Sequence, residues 1–266
     1  MIAAAHAKIN LALVVGPVRD DGKHELVTVY QRIDLVDRIS VEPADETVVT
    51  GYPDTIVTRA LALLEAPHGF RVHIDKRIPV AAGLGGGSSD AATALRLANA
   101  QLDEPRSLGE LHAIASRAGA DVPFFLYDGP QLGTGDGASL EQLELPQDFA
   151  VLVLVPNDAV KGSTADVYAA FDARGGAAGF GERAEALRSA LTAVRQPREL
   201  ATLPPNDLAS SPYAEALRAA GAFRADVSGA GPAVYGLFHD SAAARRARRG
   251  LSRLGRVWMT LPAWYG

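Results

Sequence analysis

At 266 residues the chain has room for one large α/β domain or two modest ones, and 48% hydrophobic with 21% charged residues fits a packed core and excludes a disordered chain. The formal charge of −5 attracts neither a nucleic-acid backbone nor an anionic membrane, and it gives an anionic nucleotide no help, so any phosphate site must be built from local donors. The absence of cysteine removes disulfides, thiolate metal sites and cysteine nucleophiles together, and agrees with a reducing cytoplasm.

No apolar run approaches the roughly 20 residues that span a bilayer. The opening MIAAAHAKINLALVV has no basic region and is interrupted by Lys8 and Asn10, so no signal peptide is expected and the cytoplasm is the expected compartment. Residues 4–15 alternate loosely and end in an apolar run, which predicts a strand; 16–23, with glycine, proline and charges, predicts a loop. Two further strands are predicted at 25–33 and 36–42, pairing with the first. Gly51-Tyr52-Pro53 leads into a helix over 54–66, and Phe70, Val72 and Ile74 then alternate with Arg71, His73 and Asp75 in a half-buried strand.

After a glycine cluster at 83–87, AATALRLANAQL predicts a helix; a second runs over 107–118 and stops at Gly119. Short strands at 123–127 and 130–134 lead to a loop, then to a buried strand, FAVLVLV, at 149–155. Pro146 and Pro156 bracket that strand, and a domain seam is expected there. The remainder predicts helices at 164–172, 182–195, 212–220 and 241–253, with strands at 222–227, 233–238 and 256–261. Residues 174–181, RGGAAGFG, predict a small flexible linker. Strands and helices mix without strict βαβ alternation, which favours α+β over a doubly wound sheet, and no internal repeat is present.

The most informative stretch is IPVAAGLGGGSSDAATAL, residues 78–95. A backbone that wraps a phosphate needs left-handed angles and close approach to its N–H groups, and glycine permits both. Ser88 and Ser89 stand where a helix begins, in position to cap it, and a helix N-terminus attracts anionic oxygen. The P-loop pattern fails, because no lysine occurs between Lys76 and Lys161. The dinucleotide fingerprint fails too: Ser88 stands where its third glycine is required, and Pro79 with two alanines separates the loop from the preceding strand.

This loop resembles the second motif of the GHMP kinases, a superfamily of small-molecule kinases. AHAKINLAL at 5–13 resembles the first motif, with His6 where proline is usual, and VSGAGPAVYGLF at 227–238 resembles the third. The resemblance implies a two-domain α+β fold: an N-terminal ATP-binding α+β domain over 1–148 and a C-terminal ferredoxin-like α/β domain over 149–266. It also implies ATP with Mg²⁺, and contacts to the nucleotide from Pro79, Ala81, Gly83, Leu84, Gly85, Gly86, Gly87, Ser88 and Ser89. Further segments are similar to those members that phosphorylate cytidine-diphosphate methylerythritol in the non-mevalonate isoprenoid route. These are DGKHEL around His24, RAGADVPFFL at 117–126, LGTGDG at 132–137, STADVY at 163–168 and PPNDL with Asn206-Asp207. Lys23 replaces the tyrosine usual beside the histidine, and Ala165 replaces a proline before Tyr168.

That similarity implies Asp121 as the group that orients the acceptor hydroxyl and takes its proton, with Lys8 beside it. Asn10, His24, Tyr168, Gly229 and Gly231 are the implied substrate contacts, His24 at the cytosine edge and Tyr168 stacked on the base. An aspartate is a weak base at neutral pH. In a loose phosphoryl-transfer transition state the proton leaves late, so Lys8 is better assigned to the developing negative charge than to activating a base. Another acceptor of the same superfamily, mevalonate or homoserine, and a catalytically silent ligand sensor are the competing readings. The expected partners are the small-molecule acceptor and ATP, with neither nucleic acid nor membrane, in a monomer or weak homodimer. The arginines of 245–256 predict a solvated helix face, and the remaining histidines show no metal-ligand spacing.

Overall fold

The computed structural model describes residues 1–159 and 163–263. Strand β1 (Ile2–Val18) pairs antiparallel with β2 (His24–Ala44) along nearly their whole length. β1 is buried continuously over residues 5–16, so both of its faces are covered. This explains why its apolar residues run on with little alternation. The two strands expected at 25–33 and 36–42 are one. The polar break between them is a bulge, where the register passes from Ala7 opposite Ile33 to His6 opposite Val36 and steps over Asp34 and Leu35.

The opposite edge of β2 carries two partners. β4 (Gly69–Asp75) pairs with its later half and β5 (Gln131–Gly135) with its first half; β3 (Val48–Thr50) and β6 (Ser139–Gln142) complete the sheet. Three helices cover one face: α1 (Thr55–Leu63), capped by Asp54; α2 (Gly86–Asn99); and α3 (Leu108–Ala118), opened by a Ser107–Glu110 capping box. Tyr30, Ile39, Phe70, Leu95 and Phe124 lie in the core between them.

The strand expected at 123–127 is instead a 3-10 helix, Pro123–Leu126. Val122 is already right-handed helical and proline opens the turn, so the aromatic pair that reads as β-rich is wound into the core. Arg32 reaches across from β2 to donate to the carbonyls of Phe125 and Tyr127 and fastens that turn.

The second sheet is antiparallel in the order β10 (Gly255–Thr260), β7 (Ala150–Pro156), β9 (Val234–Phe238), β8 (Arg224–Val227). Helices α6 (Pro212–Ala219) and α7 (Ser241–Leu251) pack on one face. The arginines of α7 lie on its exposed side, as expected for a solvated face. The other face meets β1: Ile9 and Leu11 share one core with Val151, Val153, Tyr235, Leu237 and Leu187 of α5 (Phe180–Ala193). The architecture is α+β. No helix among the described residues is long and apolar enough to cross a membrane.

Where a flexible linker is expected over 174–181, residues 174–179 are a run of hydrogen-bonded turns after α4 (Thr164–Ala173), and 180–181 open α5. Gly176 lies so close to the Phe171 ring that a Cβ there would sit 2.3 Å from it. Arg183 donates to the carbonyls of Gly176, Ala178 and Val15 and to Asp207. Small residues here serve close packing, and the composition alone does not distinguish that from mobility.

Candidate active site

β1, the start of α2 and the turn between β8 and β9 converge on a cleft of about 1010 Å³. β1 supplies Lys8 and Asn10, which as alternate residues share one face. Lys8 is only 3% exposed, so its ammonium must be paired. It donates to Asn10 Oδ1 at 2.6 Å and lies 3.4 Å from Asp121 Oδ2. Asn10 is oriented in turn by Thr28 Oγ, which accepts from its amide at 2.8 Å and donates to Ala12 O. Asp121, a third exposed, stands in the short turn between α3 and the 3-10 helix and takes a hydrogen bond from the Tyr30 hydroxyl at 3.0 Å.

Burial and the facing Asp121 carboxylate push the Tyr30 phenol well above its ordinary range, so it is a fixed neutral donor. Tyr30 escaped the sequence reading. Only its place directly opposite Asn10 on the neighbouring strand could have pointed to it.

The glycine-rich loop ends on Gly85, whose left-handed backbone (φ +69°) opens α2 with no side-chain cap. The helical ladder begins with Ser89 N–H on Gly85 O. Ser88 and Ser89 are therefore not the caps that the sequence suggested; they lie inside the first turn. The N–H groups of that turn and the positive end of the helix dipole remain available to anionic oxygen. Ala81, at φ +54°, is one of two non-glycine residues in the left-handed region among the described residues. Of the expected nucleotide contacts, Ala81, Gly83, Gly85 and Ser88 line the cleft. Pro79 does not line it, Leu84 and Ser89 are 1% exposed, and Gly86 and Gly87 back onto Lys76 with Ile78 and onto Asp54. Leu84 contributes through its carbonyl, which accepts from Lys8 N–H at 2.9 Å.

Gly229 and Gly231 line the cleft from the second half of the chain. A Cβ on Gly231 would meet the Ala82 carbonyl carbon at 2.1 Å, and one on Gly83 would meet Ser228 O at 2.1 Å. Ser228 Oγ donates to Gly83 O and Ala233 N–H to Ala82 O, so the two glycine turns are locked backbone to backbone. Asn206 holds the second turn by donating to the carbonyls of Val227 and Gly229.

At the far end of the cleft, the His24 and Tyr168 rings lie 4.7 Å apart, tilted by 35°. His24 Nε2 is 2.8 Å from Asp172 Oδ1. Burial, then Asp121, push the Tyr168 phenol up to about 12, so it stays neutral. Lys23 faces Asp136 at 2.5 Å on the rim. Asp136 and Asp172 were not anticipated; both lie far in sequence from the residues that they fix.

All seven residues expected to be catalytic or to bind the acceptor, Lys8, Asn10, His24, Asp121, Tyr168, Gly229 and Gly231, therefore line one cleft. Among the described residues no group of three or more acidic, histidine or cysteine side chains could hold a metal ion. The cleft has a cationic, amide-rich end and an aromatic end, with a carboxylate between them.

Residues 55–129 match the GHMP kinases N terminal domain, and residues 179–257 the GHMP kinases C terminal. The chain is 36% identical to a 4-diphosphocytidyl-2-C-methyl-D-erythritol kinase of Desulfitobacterium hafniense, over 96% of this chain and 93% of that protein. It is also 36% identical to the protein of the same name from Streptomyces avermitilis, over 88% and 86%. A crystal structure of a 4-(cytidine 5'-diphospho)-2C-methyl-D-erythritol kinase superposes with a TM-score of 0.78 at 34% identity, covering 99% of this chain and all of that one. A mevalonate kinase from Methanococcus jannaschii has the same fold at 13% identity and a TM-score of 0.75, covering 99% and 98%.

Proposed function

The chain belongs to the GHMP kinase family, and we propose that it transfers the γ-phosphoryl group of ATP to the 2-hydroxyl of 4-diphosphocytidyl-2-C-methyl-D-erythritol, a step towards isoprenoid precursors. The observation that carries this reading is the order of groups along one cleft. An uncapped helix N-terminus lies at one end and the His24–Tyr168 pair at the other, with Lys8 and Asp121 3.4 Å apart between them.

The roles follow from chemistry. The first-turn amides of α2 and the glycine turns hold the phosphates of the donor. Asp121 accepts a hydrogen bond from the acceptor hydroxyl and takes its proton as the O–P bond forms. Tyr30 and Lys8 each hold one oxygen of that carboxylate, so its position is set before substrate arrives. Lys8 stabilises charge on the transferring group. At the aromatic end, the Asp172 carboxylate can only accept, so Nε2 of His24 carries a proton towards it, and in the neutral imidazole Nδ1 is then an acceptor. An acceptor nitrogen suits the exocyclic amine of cytosine and disfavours the carbonyl of uracil, while Tyr168 offers a stacking face.

Among the described residues the side chains form no resident metal cage. An accompanying Mg²⁺ would enter on the oxygens of the nucleotide itself, and no step is assigned to it.

The test is ADP release, coupled to a spectroscopic readout, with cytidine-diphosphate methylerythritol, mevalonate and homoserine offered in parallel. Turnover is expected with the first alone. Lys8→Met and Asp121→Asn should each lower kcat by roughly a hundredfold. Release with none of the three alcohols, or near-normal turnover in both variants, would overturn the reading.

A further inference from the structure

Behind the phosphate end of the cleft, on the core side of α2, lies a charged cluster to which the chemistry above gives no role. Lys76 Nζ is 2.8 Å from Asp37 Oδ2 and 2.5 Å from Asp90 Oδ2. The lysine side chain is 11% exposed and both carboxylates are fully buried. Asp37 comes from β2, Lys76 follows β4, and Asp90 belongs to the second turn of α2.

Two features separate this cluster from an ordinary structural ion pair. The first is where the cation sits. A Cβ added to Gly86, the first residue of α2, would lie 3.0 Å from the Lys76 ammonium. Gly86 and Asp90 are four apart and share a helix face, so the ammonium lies along that face, packed against the first turn at Gly86 and bonded to Asp90 in the second. A cation beside a helix N-terminus opposes the helix dipole, and burying it with two acids is costly. Stability alone gives no reason for that placement. A bound polyanion at the same helix end does.

The second feature is what the cluster joins. The other oxygen of Asp37 accepts from the N–H groups of Arg77 and Ile78, at the entrance to the glycine-rich loop. Asp90 lies just past its exit. Lys76 thus ties together the two ends of residues 79–85, the segment that must keep its shape around a phosphate chain.

We propose that Lys76, clamped between Asp37 and Asp90, is a positioning residue for the nucleotide phosphates: it staples the base of the glycine-rich loop and sets a positive charge behind the first turn of α2. This rests on the assignment of that turn to the ATP phosphates.

The protonation of the cluster supplies a signature that a packing role would not. Burial works against the lysine charge, but Asp90 and Asp37 overcome it and raise the Lys76 pKa, so it stays an ammonium. Burial pushes the Asp90 carboxyl up to about 8; Lys76 pulls it down, and the Asp37 charge and hydrogen bond push it further up. Around neutrality Lys76 is therefore an ammonium and Asp90 largely a carboxylic acid. Above about pH 8 it gains a negative charge behind the phosphate site. Among the described residues, the other groups facing this region are the Tyr52 ring, 5.7 Å from the ammonium, Asp54, the cap of α1, beside Gly87, and Lys8 of β1 beside Gly85. Arg77 is engaged with Asp75 at the surface.

The experiment measures ATP affinity by calorimetry, and the KM values of ATP and of the acceptor, for the intact chain and for Lys76→Met, Lys76→Arg and Asp90→Asn between pH 6.5 and 9. In the unaltered chain the KM of ATP should rise above pH 8 while that of the acceptor stays flat. Lys76→Met should weaken ATP about tenfold with little effect on the acceptor KM, and Lys76→Arg should recover part of that loss. Asp90→Asn, permanently neutral, should abolish the alkaline rise. If Lys76→Met does not fold, Asp90→Asn still decides, because an alkaline rise that survives in it overturns the proposal. So does a Lys76→Met protein of lowered melting temperature but unchanged ATP affinity. An unaltered chain that fails to bind ATP would instead overturn the assignment of the phosphate site itself.

Discussion

The Asp121 carboxylate is held from two sides, by the Tyr30 hydroxyl on one oxygen and by the Lys8 ammonium on the other. Lys8 and Asp121 were marked out only by the motif resemblances of AHAKINLAL and RAGADVPFFL, and the fold sets them 3.4 Å apart. Tyr30 was not legible: a tyrosine on a buried strand is a core residue by default, and here it is that as well, stacked on Phe124 at 4.9 Å. Its second role depends on a carboxylate 91 positions away. Tyr30→Phe keeps the ring and removes only the hydroxyl. The expected outcome is a kcat lowered several-fold, with a stability change of about 1 kcal/mol or less. Steady-state kinetics set beside urea unfolding would separate the two effects, and a large loss of stability with unchanged kcat would contradict the role given to the hydroxyl. Because burial holds the phenol neutral well above its usual range, Tyr30 should add no alkaline limb to the kcat profile.

Elements were read well where one local force dominates and poorly where two compete. The long apolar periods of α2 and the alternation of β4 held. Pro123-Phe124-Phe125-Leu126 was misread because aromatic β preference competes there with a proline at the helix start and with Arg32 holding the turn from β2. The glycines of 174–181 were misread because small residues signal either freedom or close approach, and only Phe171 and Arg183 show which applies. Arg183 is a point of failure for that region, with carbonyls from three places and Asp207 on one guanidinium. Arg183→Ala should cost roughly 1–3 kcal/mol in chemical denaturation and should quicken proteolysis within 174–181. Unchanged cleavage there would mean that the turns are held by Phe171 alone.

At the scale of the whole molecule, the α+β class followed from the irregular order of helices and strands, but the way the halves join did not. No local pattern announces that Arg224, 7% exposed, donates to the carbonyls of Leu11, Leu200, Leu203 and Pro204. Nor does any reveal that Asn206 bridges to Leu13, or that Asp207 holds Val15 N–H. If the seam lies near residue 148, as we propose, the two pieces share β1 as a common wall. Separately produced fragments 1–148 and 149–266 should each show no ATP turnover, and mixing them should restore a measurable fraction of it. A fully active first fragment would contradict this account of the join.

The shared wall also bears on how the chain folds. β1 precedes by some 200 residues the groups that complete it: Arg224 donates to Leu11 O and the Asp207 N–H to Leu13 O. Contacts so distant along the chain close slowly. Until they close, the second face of β1 is bare, and Lys8 stands on an unfinished strand that other unpaired strands can reach.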